Sequence, residues 1–84
     1  MTALTSMMNI GKEMERKLNA IGITSAEVLM TMGSKDAFVQ LKLHYPNVCT
    51  VHLYTLEGAI GGIKYNQLPD TKKQELQTFY ENLK

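Results

Sequence analysis

The stretch Ile10-Gly11-Lys12-Glu13-Met14-Glu15-Arg16-Lys17-Leu18-Asn19-Ala20-Ile21-Gly22-Ile23-Thr24, continued to Met32-Gly33-Ser34, decides the fold. An apolar residue followed by glycine occurs in it three times, at Ile10–Gly11, Ile21–Gly22 and Met32–Gly33, with successive glycines eleven positions apart. Glycine after an apolar residue is a usual way to end a helix in a left-handed conformation. Thr24 and Ser34 are placed to cap the helices that follow. The pattern describes short helices turned sharply against one another.

Within the first unit, Met14, Leu18 and Ile21 continue a line from Ile10 at helical spacing, which predicts one buried stripe. The opposite face carries Lys12, Glu13, Glu15, Arg16 and Lys17, a mixed-charge set that reads as a solvated surface. Thr24 and Glu27 have capping-box spacing, so a second helix should start at Thr24 and end near Met32. Ser34 then caps a third helix whose inner face is Ala37, Phe38, Leu41 and Tyr45, stopped by Pro46. Asn47 is a plausible cap for a fourth helix, in which Leu53, Leu56, Ile60 and Ile63 recur at helical spacing. The alternation from Val48 to Tyr54 also suits a strand, but the continuation to Ile63 favours helix. Pro69 fits a first turn, and Leu76, Phe79, Tyr80 and Leu83 form the stripe of a closing helix. The expectation is an all-α, compact five-helix single domain over residues 1–84.

Composition narrows the function. A chain of 84 residues, 44% apolar and 20% charged, is long enough for one globular domain and too short for two. So small a core leaves stability marginal, which makes a homodimer worth testing. Nine basic against eight acidic residues leave a net charge of +1, without the basic excess of a dedicated nucleic-acid binder. One cysteine, Cys49, and six methionines suit a reducing, cytoplasmic setting. The first ten residues lack a signal peptide's features, and no run approaches the ~20 apolar residues of a membrane span.

No constellation of catalytic residues emerges. Glu57 has no second titratable group converging with it in sequence and reads as a surface residue, or one bonded to amides at a neighbouring helix start. His44, Cys49 and His52 invite a metal reading, but a structural zinc site needs four ligands and the chain holds no further cysteine or histidine. Cys49 reads instead as a small core residue. Gly58 to Gly62 is not followed by the Lys and Ser or Thr of a phosphate loop. The expectation is a protein without enzymatic activity, cofactor or metal.

Two features point to binding. Gly58, Gly61 and Gly62 are costly in a helix and imply either close packing within the chain, with Gly61 or Gly62 ending the helix, or contact with a partner. At Gly11 and Lys12 a helix start could hold a phosphate, with Arg16 and Lys17 adding charge, giving DNA contacts independent of sequence. Glu13 and Glu15 in the same turn oppose that.

The helical units are similar to the helix-hairpin-helix modules, which bind DNA backbone in some proteins and other proteins elsewhere. Taken together, Asn9, Ile10, Gly11, Leu18, Ile21, Gly22, Ile23, Thr24, Gly33, the run Leu53-Tyr54-Thr55-Leu56-Glu57-Gly58-Ala59 and Leu68 resemble the C-terminal domain of the TfoX family of natural-competence regulators. The match extends over nearly the whole chain. Thr55 replaces an alanine of the family's signature, Lys12 stands where proline is common, and Tyr65 falls near a common tryptophan. The resemblance implies a compact helical domain of the helix-hairpin-helix and SAM-like kind, with no catalytic residues. Longer members carry a separate N-terminal domain, expected to be missing here. The functional expectation is a protein-interaction module whose partner, a second copy included, packs on Gly58, Gly61 and Gly62, with DNA-backbone binding through Gly11, Lys12, Arg16 and Lys17 as the alternative.

Overall fold

The computed structural model describes residues 2–83 of the chain. Five α-helices follow one another: α1 Lys12–Ala20, α2 Ala26–Met32, α3 Ser34–His44, α4 Thr50–Gly61 and α5 Asp70–Glu81. Short 3-10 turns at Leu4–Ser6 and Tyr65–Gln67 precede α1 and α5. No strand forms among the described residues, so the fold is all-α and the alternative reading of Val48 to Tyr54 falls.

The expected stripes converge on one core. Leu4, Ile10, Leu18, Ile23, Leu29, Phe38, Leu41, Leu53, Leu56 and Leu76 are buried in a single cluster contributed by every helix and by the N-terminal arm. Phe38 packs against Tyr80 with ring centroids 5.8 Å apart, joining α3 to α5. The Tyr54 hydroxyl donates to the Lys73 carbonyl at 3.4 Å, joining α4 to α5. Thr55 is buried, and its hydroxyl donates to the Val51 carbonyl at 2.9 Å. A hydroxyl is thereby accommodated at the family's alanine position without an unsatisfied group.

The expected breaks occur, with different chemistry at the helix starts. At the end of α1, the Ile23 amide donates to the Leu18 carbonyl at 2.9 Å and the Gly22 amide to that of Asn19 at 3.1 Å, the paired bonds of a Schellman motif. Gly33 does two tasks at once. Its amide donates to the Leu29 carbonyl at 2.9 Å, its own carbonyl accepts from Ala37 at 3.1 Å, and its φ of 89° with ψ of 158° is open essentially to glycine alone. One residue therefore ends α2 and starts α3.

Four starts differ from expectation. Ser25, not Thr24, caps α2: its hydroxyl accepts from the Val28 amide at 3.3 Å, and it is Ser25 that is buried. Glu27 forms no capping box. It reaches the N-terminal arm, accepting from the Thr2 amide at 2.9 Å and from the Thr2 hydroxyl at 2.8 Å. Those bonds, the amide's first, pull its carboxyl down to about 2. Ser34 is the first residue inside α3 rather than its cap, because Gly33 already occupies that place. Asn47 lies in a turn, and α4 starts three residues later behind Cys49. Pro69 precedes α5, whose first helical residue is Asp70. Ile63 falls beyond α4 and is exposed rather than part of its stripe.

Candidate functional site

The run that carries three glycines is the C-terminal half of α4. Gly58 is buried, and a Cβ there would overlap the Ile63 carbonyl oxygen and lie 2.5 Å from Asn9 Nδ2. Its missing side chain admits the chain's own backbone, so this glycine is committed to packing inside the molecule. Gly61 and Gly62 are exposed. Gly62 adopts the left-handed conformation that ends α4, and the Ile63 amide donates to the Gly58 carbonyl at 2.9 Å.

Asn9 locks this end. Its side-chain amide donates to the Ile63 carbonyl at 2.9 Å, and its Oδ1 accepts from the Tyr65 amide at 3.2 Å. A longer approach to the Thr55 carbonyl, 3.5 Å, completes the set. Asn9 holds a left-handed φ of 72°, which asparagine tolerates better than most residues. The clasp brings the N-terminal arm beside the segment after α4, and three apolar side chains are left outside on this frame: Met8, 41% exposed, Ile63, 38%, and Tyr65, 42%. The Gly61 position adjoins Ile63, 3.8 Å from its Cδ1 by the would-be Cβ.

Glu57, one residue before Gly58, accepts from the Ser34 hydroxyl at 2.5 Å. It does reach a neighbouring helix start, through a hydroxyl rather than a backbone amide. No second titratable side chain is bonded to it among the described residues.

The four residues of the DNA reading lie at the start of α1 and along it. Gly11 is the residue before α1 and provides no side-chain cap, and Lys12 is exposed at the first helical position. That position is where proline is favoured in a helix, and lysine fills it without disturbing the start. Arg16 is engaged by Glu13 on the same exposed face, which lowers the Glu13 carboxyl and raises the guanidinium. Lys17 lies on another face, its ammonium 5.6 Å from the centre of the Tyr45 ring.

Cys49 and His52 prove to be a helix start. The Cys49 amide donates to His52 Nδ1 at 3.2 Å, and the thiol is exposed rather than in the core. His44 makes its own ring contact, its centroid 5.1 Å from that of Tyr45. Among the described residues no group of three metal-ligating side chains comes together. Nor is any described helix long and apolar enough to cross a membrane.

The residues that sequence reasoning missed are Asn9, Ser25 and the Thr2–Glu27 pair. Only Asn9 carried a signal, standing next to the first Ile–Gly pair.

Known proteins share this architecture. The chain is 31% identical over 80 residues to Protein Sxy of Escherichia coli (strain K12), covering 95% of this chain and 38% of that protein. It therefore spans well under half of that relative's length. Two crystal structures of Listeria monocytogenes proteins, one described as uncharacterized and one as of unknown function, superpose with a TM-score of 0.92 at 40% identity. They cover 95% and 96% of this chain, and 91% and 99% of theirs. The TfoX C-terminal domain model matches residues 1–80, which include the Asn9 clasp and the Leu53–Ala59 run, and the chain belongs to that family.

Proposed function

We propose that this domain is a non-catalytic, cytoplasmic interaction module with a competence-related regulatory role, and that it docks a protein partner through the rim formed by Met8, Ile63 and Tyr65. The observation that carries this reading is the combination of exposed apolar side chains with a frame held rigid by Asn9. Apolar groups on a preorganised surface lose little entropy on docking, whereas the same groups on a loose segment lose more. Family membership supports the regulatory part.

Gly61 and Gly62 contribute by keeping the rim low. A bulky side chain at Gly61 would stand beside Ile63 and obstruct an approaching surface while leaving the core untouched. Gly58 has no direct part, being enclosed. Self-association through the same rim would make a second copy the partner.

The test has two arms. Sedimentation across a wide concentration range reads self-association in the parent, in Gly61→Phe and in the double variant Ile63→Glu/Tyr65→Glu, with far-UV circular dichroism confirming retained helices. Transformation frequency in the source organism reads regulation with the same variants. A rim that docks a partner predicts folded variants with lost regulation. Folded variants that regulate normally would remove the rim from the reading.

Backbone-directed DNA binding is the second reading, favoured by the absence of a side-chain cap on the first turn of α1. It predicts anisotropy of labelled DNA that weakens steeply with salt and falls when Lys12 and Arg16 become alanine. No binding at low salt would end it.

A further inference from the structure

A small concavity lies on another part of the molecule, where the last turns of α1, the end of α3 and the start of α4 meet. It has a volume of about 220 Å³ and is lined by Lys17, His44, Tyr45, Pro46, Asn47 and His52, with Val48 at its base. Not one of these side chains is acidic, and three of them are nitrogen bases brought from three different helices. Neither the family reading nor the rim at the far end of α4 uses this pocket.

We propose that Lys17, His44 and His52 form a binding pocket for a phosphoryl group, presented as inorganic phosphate or a small phosphomonoester. His52 is prepared for it by the helix start. Because Nδ1 accepts from the Cys49 amide at 3.2 Å, the neutral ring carries its proton on Nε2, and that N–H is the donor left to the pocket. Burial first, and then the charge of Lys17, hold the His52 pKa below its ordinary value. An anion between the two side chains would offset the second of these effects. Lys17 is steered toward the pocket by Tyr45, over whose ring its ammonium rests 5.6 Å from the centre. His44 packs edge-on against the same ring, with centroids 5.1 Å apart.

The surrounding charges are consistent with this. On α1, Glu13 is paired with Arg16 and feels the Lys17 charge only as a lesser effect. On α3, Lys42 donates to the Pro46 carbonyl at 3.4 Å, which answers one acceptor at the pocket's edge. The carbonyl end of α3 opposes an anion and the amide end of α4 favours one, so the side chains decide the sign.

The experiment is a two-dimensional NMR titration of the whole chain at pH 7.5 with inorganic phosphate, at ionic strength held constant with chloride. The expected result is a saturable shift of the His52 and His44 ring signals and of the Asn47 amide. Lys17→Ala should weaken binding about tenfold, the loss of one charge-assisted bond. His44→Gln should weaken it less, and Lys35→Ala, at the opposite end of α3 from His44, should leave it unchanged. Melting curves of each variant separate loss of the site from loss of the fold. Glycerol phosphate should bind as inorganic phosphate does, while dimethyl phosphate, a diester like the nucleic-acid backbone, should bind more weakly. Shifts that follow chloride equally, or affinity that survives Lys17→Ala, would overturn the proposal. So would a preference for the diester.

Discussion

The two ends of α4 are closed in opposite ways. At its start one imidazole accepts the amide three residues before it, in an exposed turn. At its finish the helix is gripped by Asn9, whose bonds span 54 and 56 residues of chain and whose neighbour Gly58 has no room for a methyl group. The first device is local and titratable. The second joins one side chain to distant backbone and ties the arm before α1 to the segment after α4. A helix end fastened by distant chain belongs to the fold as a whole, while one fastened by its own first turn is an adjustable part.

That contrast predicts an order of sensitivities. Gly58→Ala should have the largest effect, about 3 kcal/mol of lost stability, because its Cβ meets a carbonyl oxygen and a clasping amide rather than a flexible side-chain tip. Urea denaturation followed by circular dichroism measures it. If Gly58→Ala cost no more than a surface change, the enclosed end would be looser than described. Asn9→Ala should come next, at about 2 kcal/mol, combining lost hydrogen bonds with a left-handed φ that alanine resists. Asn9→Gly restores the backbone freedom alone, so the difference between the two variants isolates the conformational part.

The start of α4 should respond less and should respond to pH. His52→Ala should cost about 1 kcal/mol at pH 8, the usual scale of a lost cap. The folded-state pKa of His52 is depressed, so the unfolded chain binds this proton more readily. Its contribution is therefore complete above the unfolded value of about 6.5 and declines as pH falls below it. Denaturation midpoints at pH 8, 6.5 and 5.5 should converge for parent and variant on the acid side. A constant gap would mean that the ring acts by packing alone. The smallest effect should be a gain: Gly61→Ala meets only ordinary contact with Ile63 and should stabilise by about 0.5 kcal/mol, read as a slightly higher melting temperature.

The legible part of this fold was its local part. The stripes of α1, α3 and α5, and the breaks at Gly22 and Gly33, depend on residues within one or two turns of each other, and these were found. The caps slipped for physical reasons. Thr24 and Ser25 are adjacent hydroxyl residues that can both cap, and the one that does is the serine, the better cap and the buried one. Ser34 was displaced because Gly33 serves two helices, which left its hydroxyl to Glu57. Asn47 lost α4 because Val48 must first turn inward, and the cap that follows uses a histidine ring, a pairing that standard capping preferences do not contain. Asn9 belongs to the family pattern, but its task is invisible in the sequence, since its partners are backbone atoms more than fifty residues away. For the candidate site, the role of Gly58 inside the chain was within reach of the sequence. The exposed set of Met8, Ile63 and Tyr65 was not, because only the clasp makes them neighbours.

The Asn9 clasp also bears on the order of events as the chain folds. Closing so long a loop carries an entropic cost that the local turns at Gly22 and Gly33 do not. The expected order is that helices α1 to α4 assemble before Asn9 finds the Ile63 carbonyl and the Tyr65 amide. The clasp is then a late bolt, absent from the transition state, and removing it should leave the folding rate nearly unchanged while the domain unfolds faster. The same side chain that holds the rim in place would thus set the lifetime of the native state rather than the speed of reaching it.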